Sequence, residues 1–469
     1  MDGLNCREIT LKEALANKDK RIDSQFWTTH ISKNQRYIYS KIGKVILSSQ
    51  YGMSIDMNTE KKGYPIFRMN ELHHMLTDLE VEKYANVSSI EYQVFSLQNR
   101  DVLFNRTNSY EWVGRTGIYY KNDDTPFTYA SYLVKFVPDS SIVLPEYLTT
   151  FLNTGIGVKA IKARARQSVN QTNVNPEEVK EIEIPLLSMD FQKVIEKLFL
   201  TANQKRVYAR DLYEQAVGIL HDHLGIKFEP QYKSYSEKTL SASFALSGRF
   251  DAEYYDPKYD ALFSTLSKHK TMPLGGSRGL VSIMKSIEPG SEAYLEEGVP
   301  FVRVSDVDKY EISKPSIMLS KDIVPNFEEL YPKKDTILLS KDGSVGIAYK
   351  LEKDMEAVTS GALLHLTVKD SNVVLPDYLT LVLNSPIVQL QAERDCNGAI
   401  IQHWKPSDIE KVLIPILDMS VQREIACKVQ ESFRLRAESK RLLDLAVKAV
   451  EMAIESDEES ALLWLESQK

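Results

Sequence analysis

Residues 157–176 are the part of the chain best suited to contact a phosphate backbone or the edges of bases. This segment, GVKAIKARARQSVNQTNVNP, has four basic residues, no acidic residue and a closing run rich in amide side chains. Lysine and arginine bind phosphates, whereas asparagine and glutamine can pair with base edges. A solvated helix end followed by a polar loop is the alternative. The candidate contacts are Lys159, Lys162, Arg164, Arg166, Asn170 and Gln171.

A second group of candidates lies near short β-type runs. The run SKDGSVG, residues 340–346, is typical of a tight turn whose amides and hydroxyls could meet a phosphate, and a plain hairpin turn explains it nearly as well. Arginines 68 and 303 each follow an apolar run, which suits a phosphate contact and an internal ion pair equally. The candidates are Arg68, Arg106, Arg115, Arg303, Ser340, Lys341 and Ser344, together with Gln402, His403 and Lys405 further along the chain.

The sequence offers little sign of a catalytic centre. It contains no GxxxxGK[ST] and no HExxH motif. Asp256-Pro257-Lys258-Tyr259 lacks the second proline of an amino-methyltransferase loop. Two histidines at a helix end, His221 and His223, are more typical of a solvated terminus than of a metal site. We therefore expect no catalytic residue, cofactor or metal in this chain.

Charge and composition restrict the class of protein. The net charge of −7, from 58 basic and 65 acidic residues, excludes a wholly basic protein but leaves room for a local basic surface. Residues 21–187 hold 19 basic and 18 acidic groups, and residues 248–417 hold 19 and 25, so a nucleic acid would require segregated charge on both. Three scattered cysteines favour a reducing cytoplasm. No apolar run nears the roughly 18 residues of a membrane helix.

The chain is a tandem of two similar halves. VLPEYLTTFLNT (143–154) returns as VLPDYLTLVLNS (374–385), and NPEEVKEIEIPLL (175–187) returns as KPSDIEKVLIPIL (405–417). RIDSQFW (21–27) likewise matches RFDAEYY (249–255). Ordered matches at nearly one offset indicate an internal duplication.

Each half predicts the same order of elements: short β-type runs, a helix that begins at proline, and a long polar helix. We therefore predict an α+β fold with two tandem domains of mixed α/β type, each followed by a long helix. The predicted boundaries are 1–187 for the first mixed domain, 188–247 for the first long helix and linker, 248–417 for the second mixed domain and 418–469 for the second long helix.

Both long helices carry apolar residues at steps of four, three and four, which is a coiled-coil pattern. An amphipathic helix lying on its own domain is the alternative, but two matching seams in one chain favour packing on each other. Because they close equivalent halves, we expect an antiparallel coiled coil with pseudo-two-fold symmetry. The seam residues are Tyr213, Val217, Leu220 and Leu224, and Leu443, Val447, Val450 and Ile454.

The order of these motifs resembles the DNA-specificity subunit of type I restriction-modification enzymes. The resemblance rests on GVPFVRVSD (298–306), KDTILLSKDGSVG (334–346), LPDYL (375–379) and GAIIQHWKPSDIEKVLIPIL (398–417), with looser versions in the first half. It implies that each mixed domain is a target-recognition domain for one half of a bipartite site in double-stranded DNA. The paired helices would then act as a ruler and as the docking surface for two methyltransferase subunits.

The resemblance also implies a non-catalytic chain. Methyltransferase subunits would bind S-adenosylmethionine and methylate adenine, and the restriction complex, with restriction subunits, would use ATP and Mg. Two alternatives remain open: a coiled-coil scaffold that binds only protein, and a DNA reader that serves another defence system.

Overall fold

The computed structural model describes residues 6–17, 20–169, 171–225, 235–323, 326–396 and 402–468. Contacts divide the chain into two compact units, one of Met1–Tyr208 with Leu435–Lys469 and one of Ala209–Arg434. Each unit combines helices with open sheets, so the predicted α+β class is confirmed. In the described part of the chain, none of the helices is both long enough and apolar enough to span a membrane.

The first unit is built around a six-stranded sheet whose central strand, DVLFN, is completely buried. The strands of this half are β1 Tyr39–Lys41, β2 Ile46–Tyr51, β3 Tyr64–Phe67, β4 Leu72–His73, β5 Leu76–Thr77, β6 Tyr84–Ala85, β7 Asp101–Asn105, β8 Thr107–Asn108, β9 Thr116–Tyr119, β10 Thr128–Tyr129, β11 Leu133–Pro138, β12 Arg166–Gln167, β13 Thr172–Asn173 and β14 Glu183–Pro185. The large sheet has the order β2-β11-β7-β9-β5-β4, and β12-β13-β8 form a separate small sheet.

The helices of the first half are α1 Leu11–Ala16, α2 Ser24–Thr28, α3 Ser89–Phe95, α4 Pro145–Asn153, α5 Gly155–Arg164, α6 Pro176–Lys180 and α7 Met189–Leu224. Helix α4 begins at proline because a residue without an N–H loses no hydrogen bond at the first helical position. Its buried Tyr147 donates to the Pro185 carbonyl at 2.7 Å, which ties α4 to the strand that precedes the long helix.

The second half repeats this plan. Its helices are α8 Phe244–Ser247, α9 Pro257–Leu266, α10 Pro376–Asn384, α11 Pro386–Asp395, α12 Pro406–Ile409, α13 Met419–Glu455 and α14 Glu458–Ser467. Its strands are β15 Thr271–Pro273, β16 Val281–Lys285, β17 Tyr294–Leu295, β18 Val299–Val302, β19 Met318–Leu319, β20 Ile337–Ser340, β21 Ala348–Lys350, β22 Val358–Thr359, β23 Leu363–Val368 and β24 Leu413–Pro415. Sheet order β16-β23-β20-β21 reproduces the β2-β11-β7-β9 part of the first unit, and Tyr378 donates to the Pro415 carbonyl at 2.8 Å as Tyr147 does to Pro185.

The two long helices run antiparallel within each unit, as predicted. In the first unit the Ser439 hydroxyl donates to the Ala202 carbonyl at 2.8 Å. In the second unit the Ser432 hydroxyl donates to the Ala209 carbonyl at 2.6 Å. Later residues of α7 therefore meet earlier residues of α13. Buried alanines on both helices leave room for this close approach.

The expectation that the two seams pack on each other is wrong. Tyr213, Leu220 and Leu224 belong to the core of the second unit, together with Ile425, Val429 and Phe433 of α13, and Val217 packs against that core. Leu443, Val450 and Ile454 belong to the core of the first unit, together with Phe191, Ile195 and Phe199 of α7, and Val447 packs against it. An antiparallel pair places the end of each helix beside the start of the other. The seam near the end of each long helix therefore packs against the first turns of the other long helix and against the core of that unit.

The segment predicted as the second long helix, residues 418–469, contains two helices. Helix α13 ends at Glu455, and the Asp457 side chain accepts from the Ser460 amide at 2.8 Å as the N-cap of α14. Glu458 of α14 accepts from the backbone amide of Ser188 at 2.8 Å, which places α14 at the start of α7 within the first unit.

A buried ion cluster joins the sheet to the long helices in each unit. In the first, Arg100 donates to the fully buried Glu146 of α4 at 2.6 Å and lies 2.7 Å from Glu196 of α7. In the second, Asp377 of α10 lies 3.2 Å from Lys350 and accepts from Gln430 of α13 at 2.8 Å. These contacts attach each mixed domain to a long helix of its own unit.

Candidate nucleic-acid interface

The two candidate segments of the first half converge on one surface. Strand β13 pairs with both β12 and β8, so residues 172–173 lie between residues 166–167 and residues 107–108. The Val174 amide donates to the Arg106 carbonyl at 2.9 Å, and the Thr107 hydroxyl donates to the Asn173 side-chain oxygen at 2.6 Å. We call the surface formed by residues 105–116, 166–169 and 171–174 the first face.

The first face presents cations beside aromatic rings. The Arg106 guanidinium lies 5.2 Å from the Tyr51 ring, and its buried Nε has no hydrogen-bond partner. The Arg115 guanidinium lies 3.5 Å from the ring of Trp112, whose side chain is 39% exposed. A guanidinium stacked on an aromatic ring is held in place with its N–H donors at its edge. Arg166 and Gln171 are also exposed on this face.

Two predicted contacts in the basic segment instead hold the fold together. The Lys162 ammonium donates to the carbonyls of Tyr110, Glu111 and Val113, at 3.2 Å for Glu111 and 2.9 Å for Val113. Burial lowers the pKa of Lys162 to about 8. We therefore assign Lys162 the role of holding the loop of residues 109–114 in place, rather than that of contacting a ligand.

Arg164 is likewise directed inward. Its Nε donates to the Glu178 carbonyl at 3.0 Å and its Nη1 to the Ala160 carbonyl at 2.9 Å, while burial lowers its pKa. Lys159 of the same helix is exposed. Asn170 lies outside the described residues.

The second unit repeats the convergence at equivalent positions. The Trp404 amide donates to the Lys341 carbonyl at 2.8 Å, as Val174 does to Arg106, and the Gly343 amide donates to the Gln402 carbonyl at 3.0 Å. We call the surface formed by residues 340–346 and 402–405 the second face. Its exposed side chains include Ser344, Gln402, His403 and Lys405.

The second face carries a carboxylate that the first face lacks at this point. Asp342 forms an ion pair with Lys341 and accepts from His403 Nδ1 at 2.8 Å. Burial opposes ionisation of Asp342, but hydrogen bonds from these two partners hold the pKa of its carboxyl below the usual value. The Ser340 hydroxyl is buried, donating to the Ser344 carbonyl at 2.5 Å and accepting from the Ile347 amide at 2.9 Å. Ser340 therefore shapes the turn rather than meeting a ligand.

Arg68 and Arg303, for which two roles were open, both form internal ion pairs. Arg68 Nη2 lies 2.6 Å from Glu71 and 2.9 Å from Glu82. Arg303 Nε lies 3.7 Å from Asp306, which also accepts from the Arg303 backbone amide at 2.8 Å. Both arginines lie between a buried strand and a short 3-10 turn.

One short sequence matches the motif of a catalytic serine but does not lie in the strand-to-helix turn that this motif requires. GGSRG, residues 275–279, matches GxSxG, which in a nucleophile elbow links a strand to a helix. Here it links strand β15 to strand β16. Among the described residues, no group of three or more His, Cys, Asp or Glu side chains is arranged to hold a metal ion.

Trp112 and Tyr110 were missed from the sequence, although two aromatics in a polar loop between Arg106 and Arg115 are a usable signal. Both rings are about two-fifths exposed, at 39% and 40%. Each ring lies against a basic side chain, Arg115 at Trp112 and Lys162 at Tyr110, which holds that side chain in place.

Comparisons with known proteins find a described family that matches part of the second half. A profile described as type I restriction modification DNA specificity domain matches residues 282–442. The MjaX specificity subunit of a type I restriction enzyme, from Methanocaldococcus jannaschii, is 20% identical over 409 residues, covering 85% of this chain and 88% of that protein. The EcoBI specificity subunit from Escherichia coli is 20% identical over 148 residues, 31% of each chain.

Among solved structures, the S subunit of a type I restriction-modification system from M. genitalium aligns with 90% of this chain and 96% of its own, at 14% identity and a TM-score of 0.38. A second structure, from Thermoanaerobacter tengcongensis, aligns with 91% of this chain and 98% of its own, at 14% identity and a TM-score of 0.30.

Proposed function

Because this chain belongs to the DNA specificity subunits of type I restriction-modification enzymes, we propose that it reads a bipartite site in double-stranded DNA for such a complex. The first face contacts one half of the site and the second face contacts the other half. The bases between the two halves are not read.

One observation carries this proposal: the same convergence of two segments occurs in both units. In each, the loop after a buried central strand meets the segment that follows a helix, through equivalent backbone hydrogen bonds. The resulting surfaces differ in their side chains while sharing their backbone contacts. Such a pattern is expected of two readers that share a scaffold and differ in the sequence they read.

The chemistry of each face suits duplex DNA. Arg166 and Lys405 are exposed cations for phosphates, and Gln171 and Gln402 are exposed amides able to pair with a base edge. Each glutamine lies within three residues of Val174 or Trp404, whose amides make the equivalent backbone contacts. We therefore assign base reading to Gln171 and Gln402 and backbone contacts to the neighbouring cations.

We assign the reactions of the complex to its other subunits. Two methyltransferase subunits dock on this chain, bind S-adenosylmethionine and methylate adenine, and restriction subunits use ATP and Mg in the cleaving complex. The absence of nucleotide-binding and amino-methyltransferase motifs from the sequence supports a non-catalytic role for this chain. We place the complex in the cytoplasm, where its DNA substrate is found.

The proposal is tested by selecting binding sites from a pool of duplexes with 30 randomised base pairs. The full chain, purified with its methyltransferase subunits, should enrich a split motif with two fixed parts, and its affinity should fall steeply with salt. Gln171→Ala and Gln402→Ala should each reduce the base preference in one part of the motif and leave the other part unchanged. Gln204→Ala, on the exposed side of α7, is the matched control and should leave both parts intact. Enrichment of no motif would contradict the proposal.

A further inference from the structure

Two matching clusters of side chains, one in each unit, lie beside the faces and are not part of them. In the first cluster the Arg21 guanidinium donates to Asp23 through Nε (2.6 Å) and Nη2 (2.8 Å), and to the Ala165 carbonyl at 3.4 Å. The Phe26 ring centroid lies 5.1 Å from the Arg21 guanidinium and 5.6 Å from that of Arg164.

The second cluster repeats these contacts. Arg249 donates to Asp251 through Nε at 2.8 Å and also through Nη2, and its Nη1 lies 3.4 Å and 3.5 Å from the carbonyls of Arg394 and Asp395. The Tyr254 ring centroid lies 4.6 Å from the Arg249 guanidinium and 5.1 Å from that of Arg394. The ring is again shared by two arginines, one from each partner segment.

One more hydrogen bond closes each cluster in the same way. Trp27 Nε1 donates to the Arg21 carbonyl at 2.8 Å, and the Tyr255 hydroxyl donates to the Arg249 carbonyl at 3.0 Å. We call each cluster an arginine clamp. The members are Arg21, Asp23, Phe26, Trp27 and Arg164 in the first clamp and Arg249, Asp251, Tyr254, Tyr255 and Arg394 in the second.

Each clamp grips the last turn of the helix that leads to a face. Arg164 and Arg394 belong to the last turns of α5 and α11, and the clamp arginines donate to carbonyls at those helix ends. The last carbonyls of a helix have no partner within it, and a cation there is favourable. The chain continues from α5 directly into β12 of the first face, and residues 402–405 of the second face follow α11.

The geometry of each clamp depends on the forked shape of arginine. Two parallel hydrogen bonds from one guanidinium to one carboxylate fix both groups in a plane, which the single ammonium of lysine cannot do. Arg21 is only 6% exposed, so its orientation is set by these contacts rather than by solvent. Hydrogen bonding from Arg249 lowers the pKa of the Asp251 carboxyl, which keeps the carboxylate of the second clamp ionised.

We propose that the arginine clamps are positioning devices, each of which fixes the DNA-facing segment of its own unit without touching DNA. This inference rests on the proposed function. Arg21 then controls discrimination at one half-site only and Arg249 controls discrimination at the other. Non-specific binding does not depend on them, because the exposed cations of the faces remain.

The test compares Arg21→Lys and Arg249→Lys in the full chain, purified with its methyltransferase subunits, by selection from the 30-base-pair random duplex pool. Arg21→Lys should lose about tenfold in preference at one half-site, and Arg249→Lys should lose about as much at the other, the size of one mismatched base pair. The double variant Phe26→Tyr/Trp27→Tyr gives the first clamp the aromatic residues of the second and should keep both preferences.

Hydrogen exchange separates positioning from general stability. In Arg21→Lys, amides of residues 166–173 should exchange faster while those of residues 402–405 keep their wild-type rates, and the reverse should hold for Arg249→Lys. If Arg21→Lys does not fold, Asp23→Asn replaces it as the test. Asp23→Asn removes the carboxylate that accepts both hydrogen bonds, and it should speed exchange in the first face alone.

Three results would overturn the inference. Equal weakening of both half-sites by one variant would indicate a general structural role, and retention of both preferences with unchanged exchange would show that the clamp positions nothing. A wild-type complex that selects no split motif would overturn the proposed function and this inference with it. Either of the first two results, obtained beside a wild-type complex that does select a split motif, would overturn the clamp inference alone.

Discussion

At the scale of single residues, the two faces differ in how their basic side chains are held. Lys341 and His403 of the second face both bond to Asp342, whereas Arg106 and Arg115 of the first face lie against aromatic rings. A carboxylate beside Lys341 reduces the positive charge that a phosphate can meet on the second face. The first face should therefore contribute more of the electrostatic affinity for DNA.

Asp342→Asn tests this assignment. Removing the carboxylate takes a negative charge from beside Lys341 and frees the exposed His403 ring to meet a phosphate, so the affinity for DNA should rise at low salt. The slope of log affinity against log salt should become steeper by about one unit, the effect of one added phosphate contact. The measurement is a salt titration of duplex binding by the full complex. Glu297→Gln, an exposed carboxylate of the same unit, is the control, and an equal change in both variants would contradict a local effect.

Sequence could predict which residues are basic near the first face but not where their side chains point. Lys162 and Arg164 stand in the same acid-free segment as Arg166, yet both fold back onto backbone carbonyls. The acceptors lie in the loop of residues 110–113 for Lys162 and in α5 and α6 for Arg164. All of them are backbone carbonyls, so their residue types carry no sign of the contact. No pattern of residue types records such contacts.

At the scale of elements, the long helices were predictable because their apolar residues repeat at helical spacing. The partner of each seam was not, since spacing marks an apolar stripe without saying what covers it. Leu220 and Val450 occupy equivalent positions in the repeat, but each is buried in the core of a different unit. Antiparallel pairing decides this, and it also explains why alanine and serine recur where α7 and α13 approach.

Phe199→Ala should destabilise the first unit by about 3–5 kcal/mol, the usual effect of emptying a buried aromatic site. Phe199 of α7 is fully buried in the first core, together with Leu443 and Ala446 of α13. Urea denaturation of the full chain measures the loss. Leu200→Ala, at a neighbour that is 41% exposed, is the matched control and should cost well under half as much. Equal losses would show that α7 is not packed as described.

At the scale of the whole molecule, the duplication accounts for most of what sequence could predict. Ordered matches between the halves indicated two equivalent domains, and the second unit repeats the sheet order, the proline-initiated helices and the face of the first. The repeat could not reveal that residues 435–469 fold into the first unit while residues 209–224 fold into the second. That exchange depends on the antiparallel pairing of the long helices.

Lengthening both long helices tests their proposed role as a ruler. Helices α7 and α13 have 36 and 37 residues, which is roughly 55 Å at 1.5 Å per residue. Seven residues inserted after Tyr208 and seven after Arg434, where the units divide, would add roughly 10 Å. The unread spacer of the selected motif should grow by about three base pairs, at 3.4 Å each. An insertion in α7 alone breaks the pairing and serves as the control, and an unchanged spacer in the paired insertion would refute the ruler.

The central claim, that this chain chooses the DNA sequence on which partner subunits act, is tested most directly in cells. Methylated adenines would be mapped across the genome in a strain with this gene and its neighbouring methyltransferase gene, and in the same strain with this gene alone deleted. We predict a split motif that is methylated in the first strain and unmethylated in the second. A methylation pattern that survives the deletion unchanged would contradict the account.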